Sequence, residues 1–142
     1  MFVAGFIGTP SMNFVDATLL KQDDKHIVDA GSFKVAIPAS KNGKNLDAYI
    51  GKPVVFGIRP EDIFDKNLSS LVTPTEDNTI KAMVDVIEPM GAIVTMYLTS
   101  GPHSLIGTID AESKAKEDQE IGLVLDMDKT HLFDKQTEIL IY

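Results

Sequence analysis

The stretch Val54-Val55-Phe56-Gly57-Ile58-Arg59-Pro60-Glu61-Asp62-Ile63 begins as a strand and stops abruptly on charged residues. Val54, Val55, Phe56 and Ile58 favour extended backbone, and Gly57 inside the run marks a bulge or a close backbone approach. Pro60 removes a ladder donor and keeps Arg59 extended, so the strand is expected to end there. Glu61 and Asp62 then fall in the first turn of a short helix opened by Pro60, where carboxylates suit the free N–H groups. The strand thus delivers a guanidinium to its own C-terminal end, beside opposite charge. The expectation for Arg59 is an internal ion pair that pins a strand-to-helix corner. The alternative is an anion clamp, although no second basic residue lies nearby in sequence.

Outward from this corner the pattern is one of short strands separated by turn residues. Residues 13–21 read as a strand, 22–25 as a turn, 26–29 as a second strand, and 32–37 as a third after Gly31. Lys41-Asn42-Gly43-Lys44 is a loop, and 45–50 fit a single helical turn. Residues 64–78 are polar, carry Pro74 within Thr-Pro-Thr and show no period. They are expected to form the longest loop and a hinge between two halves, 13–66 and 79–142. In the second half, 80–87 form a strand, Pro89-Met90-Gly91 breaks it, and 92–98 return as its partner. Segments 104–109, 121–127, 131–133 and 138–142 complete the set. Eight to eleven short strands predict an all-β fold of small barrels or a sandwich, with no long amphipathic helix.

The N-terminal run differs. Phe2, Val3, Phe6 and Ile7 are spaced one helical turn apart and closed by Gly8 and Pro10, which predicts one or two turns of helix. So short a helix is unstable alone. It is expected either to cover this domain's own sheet or to be the cut end of a longer element, with Phe2, Val3, Phe6 and Ile7 as interdomain or self-association contacts.

Composition narrows the function. A chain of 142 residues fits one domain, or two packed subdomains, burying roughly two thirds of its unfolded surface. The absence of cysteine excludes disulfides, zinc-thiolate sites and thiol catalysis, and makes the cytosol the expected compartment. No window reaches the roughly 18 consecutive apolar residues of a membrane span. A net charge of −8 opposes binding to a phosphate backbone, so no nucleic-acid partner is expected.

Catalytic and ligand motifs are sparse. Gly43 and Lys44 are followed by Asn45 rather than Ser or Thr, so no phosphate-binding loop is present and nucleotide hydrolysis by that mechanism is excluded. Asp23, Asp24, His26 and Asp29 have metal-ligand chemistry, but their spacing fits neither a calcium loop nor a zinc site, and a polar turn explains them. His103 and Ser104 suggest a nucleophile and its base, yet neighbours on a strand point to opposite faces. Residues 110–120 carry Asp110, Glu112, Glu117, Asp118 and Glu120 against Lys114 and Lys116, which reads as a solvated loop or an acidic docking surface for a basic partner. No catalytic residue, metal ligand or cofactor is therefore expected.

Three separated matches add a resemblance that spans nearly the whole chain. They are Phe-Val-Ala-Gly-Phe-Ile-Gly-Thr-Pro-Ser-Met-Asn at 2–13, the Gly-Ile-Arg-Pro-Glu core at 57–61, and Val-Ile-Glu-Pro-Met-Gly at 86–91 together with His-Leu-Phe-Asp at 131–134. In this order they resemble the C-terminal regulatory region of the ATP-binding subunits of maltose-type ABC sugar importers, built from small oligonucleotide-fold-like (TOBE) barrels. The resemblance implies that Gly57, Arg59, Pro60, Glu61, Phe133 and Asp134 form a structural signature. It implies a non-catalytic regulatory and dimerisation domain of a subunit for a sugar, polyol or glycerol-phosphate importer, peripheral on the inner face of the cell membrane. The implied partners are the ATPase domain of the same subunit, a second copy of the subunit, the transporter's membrane subunits and, in some members, a regulatory protein. ATP and Mg would bind the ATPase domain rather than this chain.

Two departures stand out. Met1 abuts the junction motif, so the chain is expected to be an excised domain or partial gene product with residues 1–12 as the linker. Where relatives often carry a Pro-Gly-Asp turn, Glu117-Asp118-Gln119-Glu120 occurs. The alternative function is a small-ligand module, since related barrels bind oxyanions such as molybdate. An oligonucleotide-binding barrel is set aside, because there is no Trp and Tyr49, Tyr97 and Tyr142 are scattered.

Overall fold

The computed structural model describes residues 12–41, 45–68 and 71–142. The expected helix carrying Phe2, Val3, Phe6 and Ile7 lies outside the described residues, as does the middle of the loop at 42–44. Ten strands are described: β1 (Asn13–Gln22), β2 (Lys25–Asp29), β3 (Lys34–Ala36), β4 (Pro53–Ile58), β5 (Ile63–Asp65), β6 (Thr79–Met90), β7 (Ile93–Ser100), β8 (His103–Asp110), β9 (Glu120–Leu125) and β10 (His131–Asp134). They form two antiparallel five-stranded sheets, ordered β10-β4-β1-β2-β3 and β5-β9-β6-β7-β8. In the second sheet β5 also lies against β8 at the opposite edge, so the sheet curls on itself. This is the all-β class expected, with single 3-10 turns at Ala39–Lys41, Leu46–Tyr49, Pro60–Asp62 and Met127–Lys129 as the helical elements between the described strands.

β4 decides the first sheet. Its Val54, Phe56 and Ile58 point into the core while Pro53 opens it, and it is clasped between β1 and β10. The register runs unbroken through Gly57, which faces Phe14 on β1 and His131 on β10. Of the two readings for this glycine, the structure selects close approach: a Cβ there would sit 2.8 Å from Met12 Sδ and 3.3 Å from Phe133 Cε2. The bulge in this molecule lies instead in β6, where the register shifts between Val84 and Val86.

Four expectations are corrected. The loop at 64–78 begins with strand residues, because Ile63–Asp65 pairs with β9 as Ile63↔Leu125, Phe64↔Val124 and Asp65↔Leu123. Among its described residues both ends of the remaining loop are fastened to the sheets rather than loose: Lys66 N–H donates to Gly122 O at 3.0 Å, Ala36 N–H to Asp77 O at 2.8 Å and Leu125 N–H to Asn78 O at 2.8 Å. Pro89 does not break β6. It pairs opposite Val94, beyond the reach of β9, where its missing N–H faces no neighbouring strand, and the chain turns only at Gly91. Residues 138–142 form a single bridge, Phe133↔Leu140, rather than a full ladder strand: Glu138 at φ 63 turns the chain back, and Asp134 N–H to Ile139 O at 2.9 Å and Ile141 N–H to Leu132 O at 2.7 Å hold it beside β10.

The two halves do not coincide with the two sheets. β5, from the first half, joins the second sheet, and β10, from the end of the chain, joins the first. One apolar cluster spans both, with Val15, Phe56 and Leu132 from one sheet beside Val84, Met96, Leu98 and Leu123 from the other. Neither small sheet encloses much apolar surface alone, and sharing a core removes more of it from water.

Candidate functional site

The corner after β4 is held by backbone and burial, not by the expected ion pair. Arg59 is extended at φ −80 and ψ 149, the 3-10 turn Pro60–Asp62 follows, and Asp62 N–H donates to Arg59 O at 3.0 Å. Asp126 N–H closes the far side on Asp62 O at 3.0 Å. Pro60 and Ile63 are buried beneath the turn, while Arg59 and Glu61 face solvent. Among the described residues neither Arg59 nor Glu61 forms a salt bridge. The tight turn aims the Asp62 side chain inward and leaves Arg59 and Glu61 outside, where an exposed pair would gain little.

The fold then does what the local sequence could not. The turn Met127–Lys129 and the first residue of β10 approach the corner, so Arg59, Glu61, Asp62, Lys129 and His131 line one cavity of about 410 Å³. Lys129 Nζ lies 3.9 Å from Asp126 Oδ2. The half-buried His131 ring stands 6.5 Å from the Phe133 ring, and Phe133 meets Phe14 edge-on at 5.9 Å. Asp134, the last of the expected signature residues, shapes the turn after β10 by accepting Gln136 N–H at 2.8 Å and Thr137 N–H at 3.3 Å on Oδ1.

Asp62 is the strained titratable group of the corner. Burial pushes its carboxyl above the usual range, Glu61 and Asp126 push it the same way, and Lys129 and Arg59 pull against them. A carboxyl whose folded pKa is raised opposes folding at pH values above its unfolded pKa, near 3.9, and imposes nothing below it. Asp62→Asn is therefore expected to raise the melting temperature at pH 7, with the gain vanishing below about pH 3.5. Thermal melts of both proteins from pH 3 to 7 check this, and coincident curves at pH 7 would exclude it.

The other sequence candidates disperse. Asp23 and Asp24 occupy an exposed left-handed turn at φ 51 and 63. His26 is buried with Nε2 2.7 Å from Asp47 Oδ1, and Asp29 Oδ1 accepts Gly31 N–H at 2.8 Å. Among the described residues no three carboxylate or imidazole groups gather as a metal site would require. His103 Nε2 donates to Ala30 O at 2.8 Å while Ser104 faces solvent, so the two are not paired. In the acidic loop Glu117 is structural as well as solvated: its Oε2 accepts Ile87 N–H at 2.9 Å, just past the β6 bulge.

A second feature is an apolar row on the outer face of the second sheet. Val86, Tyr97 and Ile106 face one another across β6, β7 and β8, exposed by 44%, 38% and 38%. Met90 opposite Ile93 extends it towards the hairpin. Hydrogen bonding to Glu88 raises the Tyr97 phenol above its ordinary pKa.

Comparison with known proteins places this geometry. Residues 8–63 match the family model of the MalK OB fold domain, and residues 56–133, more than half of the chain, match that of the TOBE domain. The chain belongs to the TOBE domain family. The two matches overlap at 56–63, the corner itself. This TOBE chain is 37% identical over 142 residues to the trehalose/maltose import ATP-binding protein MalK of Thermococcus litoralis, covering 99% of the chain and 37% of that protein. It is 36% identical to the oligosaccharides import ATP-binding protein MsmX of Bacillus subtilis, again over 99% of the chain and 37% of the relative. It thus spans a little over one third of the relatives it matches. The resemblance to sugar-importer ATP-binding subunits is borne out. Among solved structures, the molybdate-bound cytoplasmic protein ModG superposes with a TM-score of 0.62 at 16% identity, over 89% of this chain and 96% of that one, which places the two in one fold.

Proposed function

We propose that this TOBE chain is the non-catalytic regulatory and dimerisation region of the ATP-binding subunit of an importer for a sugar or sugar-like polyol. The observation that carries the reading is the collinear similarity of 99% of the chain to sugar-import ATP-binding proteins. Its partners are then the ATPase domain of the same subunit, a second copy, the membrane subunits of the transporter and a regulatory protein. It works in the cytoplasm, on the inner face of the membrane. Among the described residues no helix is long and apolar enough to cross that membrane.

The role demands a stiff scaffold with a face that can meet its own copy. The row of Val86, Tyr97 and Ile106 supports this, since an isologous contact sets one apolar patch against itself and removes both from water. Sedimentation equilibrium tests it. The chain is expected to dimerise with rising concentration, and Tyr97→Lys with Ile106→Lys to weaken the dimer at least about tenfold through two buried charges. A monomer at every concentration, or a dimer indifferent to both lysines, refutes the dimerisation role.

A further inference from the structure

We propose that the groove between the edge strand β3 and the second sheet is a docking site for an extended acidic segment of a partner protein, with Lys34, Lys66 and Lys81 as its receptors. The inference goes beyond the scaffold role, which assigns no partner to this surface. The groove has a volume of about 550 Å³ and sets Phe33, Pro74 and Ile80 among the three lysines. The chain has 13 Lys and Arg against 21 Asp and Glu, yet here three lysines from separate segments converge against one carboxylate, Glu76.

The ladders put two of these lysines on one face. Lys66 follows the Asp65↔Leu123 pair and donates its N–H to Gly122 O, while Lys81 pairs with Gly122 from the other side. Residues opposite one another across a ladder share a face, so Lys66 and Lys81 flank a glycine, two strand spacings or about 10 Å apart. Gly122 makes room for the Lys66 stem, since a Cβ there would lie 3.3 Å from Lys66 Cδ. Like charges so placed destabilise a sheet unless an opposite charge meets them. Among the described residues Lys34, Lys66 and Lys81 form no salt bridge, and neither Glu76 nor Glu120, two residues before Gly122 on the same face of β9, bridges them. A repulsion left unrelieved in a chain rich in carboxylates is relieved by an anion from outside.

The backbone selects an extended peptide over a single anion. β3 is the edge of the first sheet. Ala30 N–H donates to Phe33 O and Ile37 N–H to His26 O, so the alternation of the ladder turns Lys34 N–H and C=O away from β2, towards the open edge. Ala36 N–H points the same way and already takes a backbone partner, Asp77 O at 2.8 Å. Lys34 thus offers the pair of backbone groups that an added strand takes up, beside side chains that attract its carboxylates. A nucleic-acid strand lacks those backbone groups, and Phe33, the aromatic ring of the groove, is buried against His103 rather than presented for base stacking.

Fluorescence anisotropy of the full chain with a labelled peptide of alternating Glu and Thr tests this, beside the matching Gln and Thr peptide, an oligothymidylate and inorganic sulfate. The Glu peptide is expected to bind with a Kd below about 1 mM and more weakly as salt rises, and the Gln peptide not to bind. The net charge of −8 opposes a polyanion elsewhere on the surface, so substitution locates the site. Lys66→Glu with Lys81→Glu should weaken binding at least about tenfold, Lys34→Gln less, and Lys135→Gln, whose ammonium lies 3.1 Å from Asp16 outside the groove, not at all. No binding even at low salt overturns the site, as does a double variant, folded by circular dichroism, that binds as well as the parent. Tighter binding of the oligothymidylate overturns the protein partner, and displacement by sulfate at the concentration of the peptide overturns the extended segment. Loss of self-association in the double variant gives the groove to a second copy and overturns the outside partner. Docking is read on the labelled peptide and dimerisation by sedimentation with the Tyr97 and Ile106 variants, so the two readings fail separately.

Discussion

Replacing Phe56 with Ala is expected to destabilise the fold by about 3–5 kcal/mol, the largest effect of any single substitution considered for this chain. Phe56 is 1% exposed at the middle of β4, opposite Val15 on β1 and Leu132 on β10, and all three enter the shared core. Truncation removes the ring and leaves a cavity that three paired strands cannot collapse, because their register is fixed by backbone hydrogen bonds. A domain of this size has about 5–15 kcal/mol of total stability, so the variant should unfold at far lower urea concentration with an unchanged slope. A loss under about 1 kcal/mol would mean that the core is not shared as described.

Asn13→Ala is expected to cost about 2–3 kcal/mol, although Asn13 is polar and at the edge of a strand. Its side chain is a clip between the sheets: Nδ2 donates to Ile58 O at 3.1 Å and to Ile106 O at 2.9 Å, and Oδ1 accepts Ile106 N–H at 2.7 Å. Deleting the amide strands three backbone groups, two of them on the opposite sheet, in a place where Asn13 itself is buried. Hydrogen exchange gives the discriminating readout. The Ile106 amide should lose protection by more than the global change predicts, and uniform loss across the chain would contradict the clip.

Much of this architecture was legible from residue order. Alternating apolar residues placed nearly every strand, and Pro60 stopped β4 where steric rules said it must. What escaped were pairings between distant segments. Nothing in His131-Leu132-Phe133-Asp134 says that its partner is β4 rather than its sequence neighbour β9. Ile63–Asp65 is three residues long, too short for any period to emerge, and becomes a strand only because β9 offers a ladder. Pro89 was read as a break because local chemistry makes it one in a central strand; that β9 stops short of it is a tertiary fact.

The corner divides in the same way. Arg59, Pro60 and Glu61 could be singled out from their neighbours, and the end of the strand followed from Pro60 alone. The ion pair did not form, because whether a charged side chain turns inward or outward depends on the packing around a tight turn. Lys129 carried no signal, as a lysine in a polar turn is ordinary, and His131 stood out only as part of the His-Leu-Phe-Asp match, with nothing to place it beside Arg59. The clip role of Asn13 carried no signal either: a polar residue at the start of a strand is ordinary until the opposite sheet is present.

The return of β10 to the first sheet also sets a timetable for the chain as it emerges during synthesis. Until residue 134 is available, β4 has β1 on one side and an open row of backbone donors and acceptors on the other. An incomplete chain therefore presents a bare edge of the kind that recruits foreign strands. Emergence of residues 131–134 closes the edge, so the order of synthesis delays commitment of the first sheet until β5 to β9 have been made and β10 has followed them.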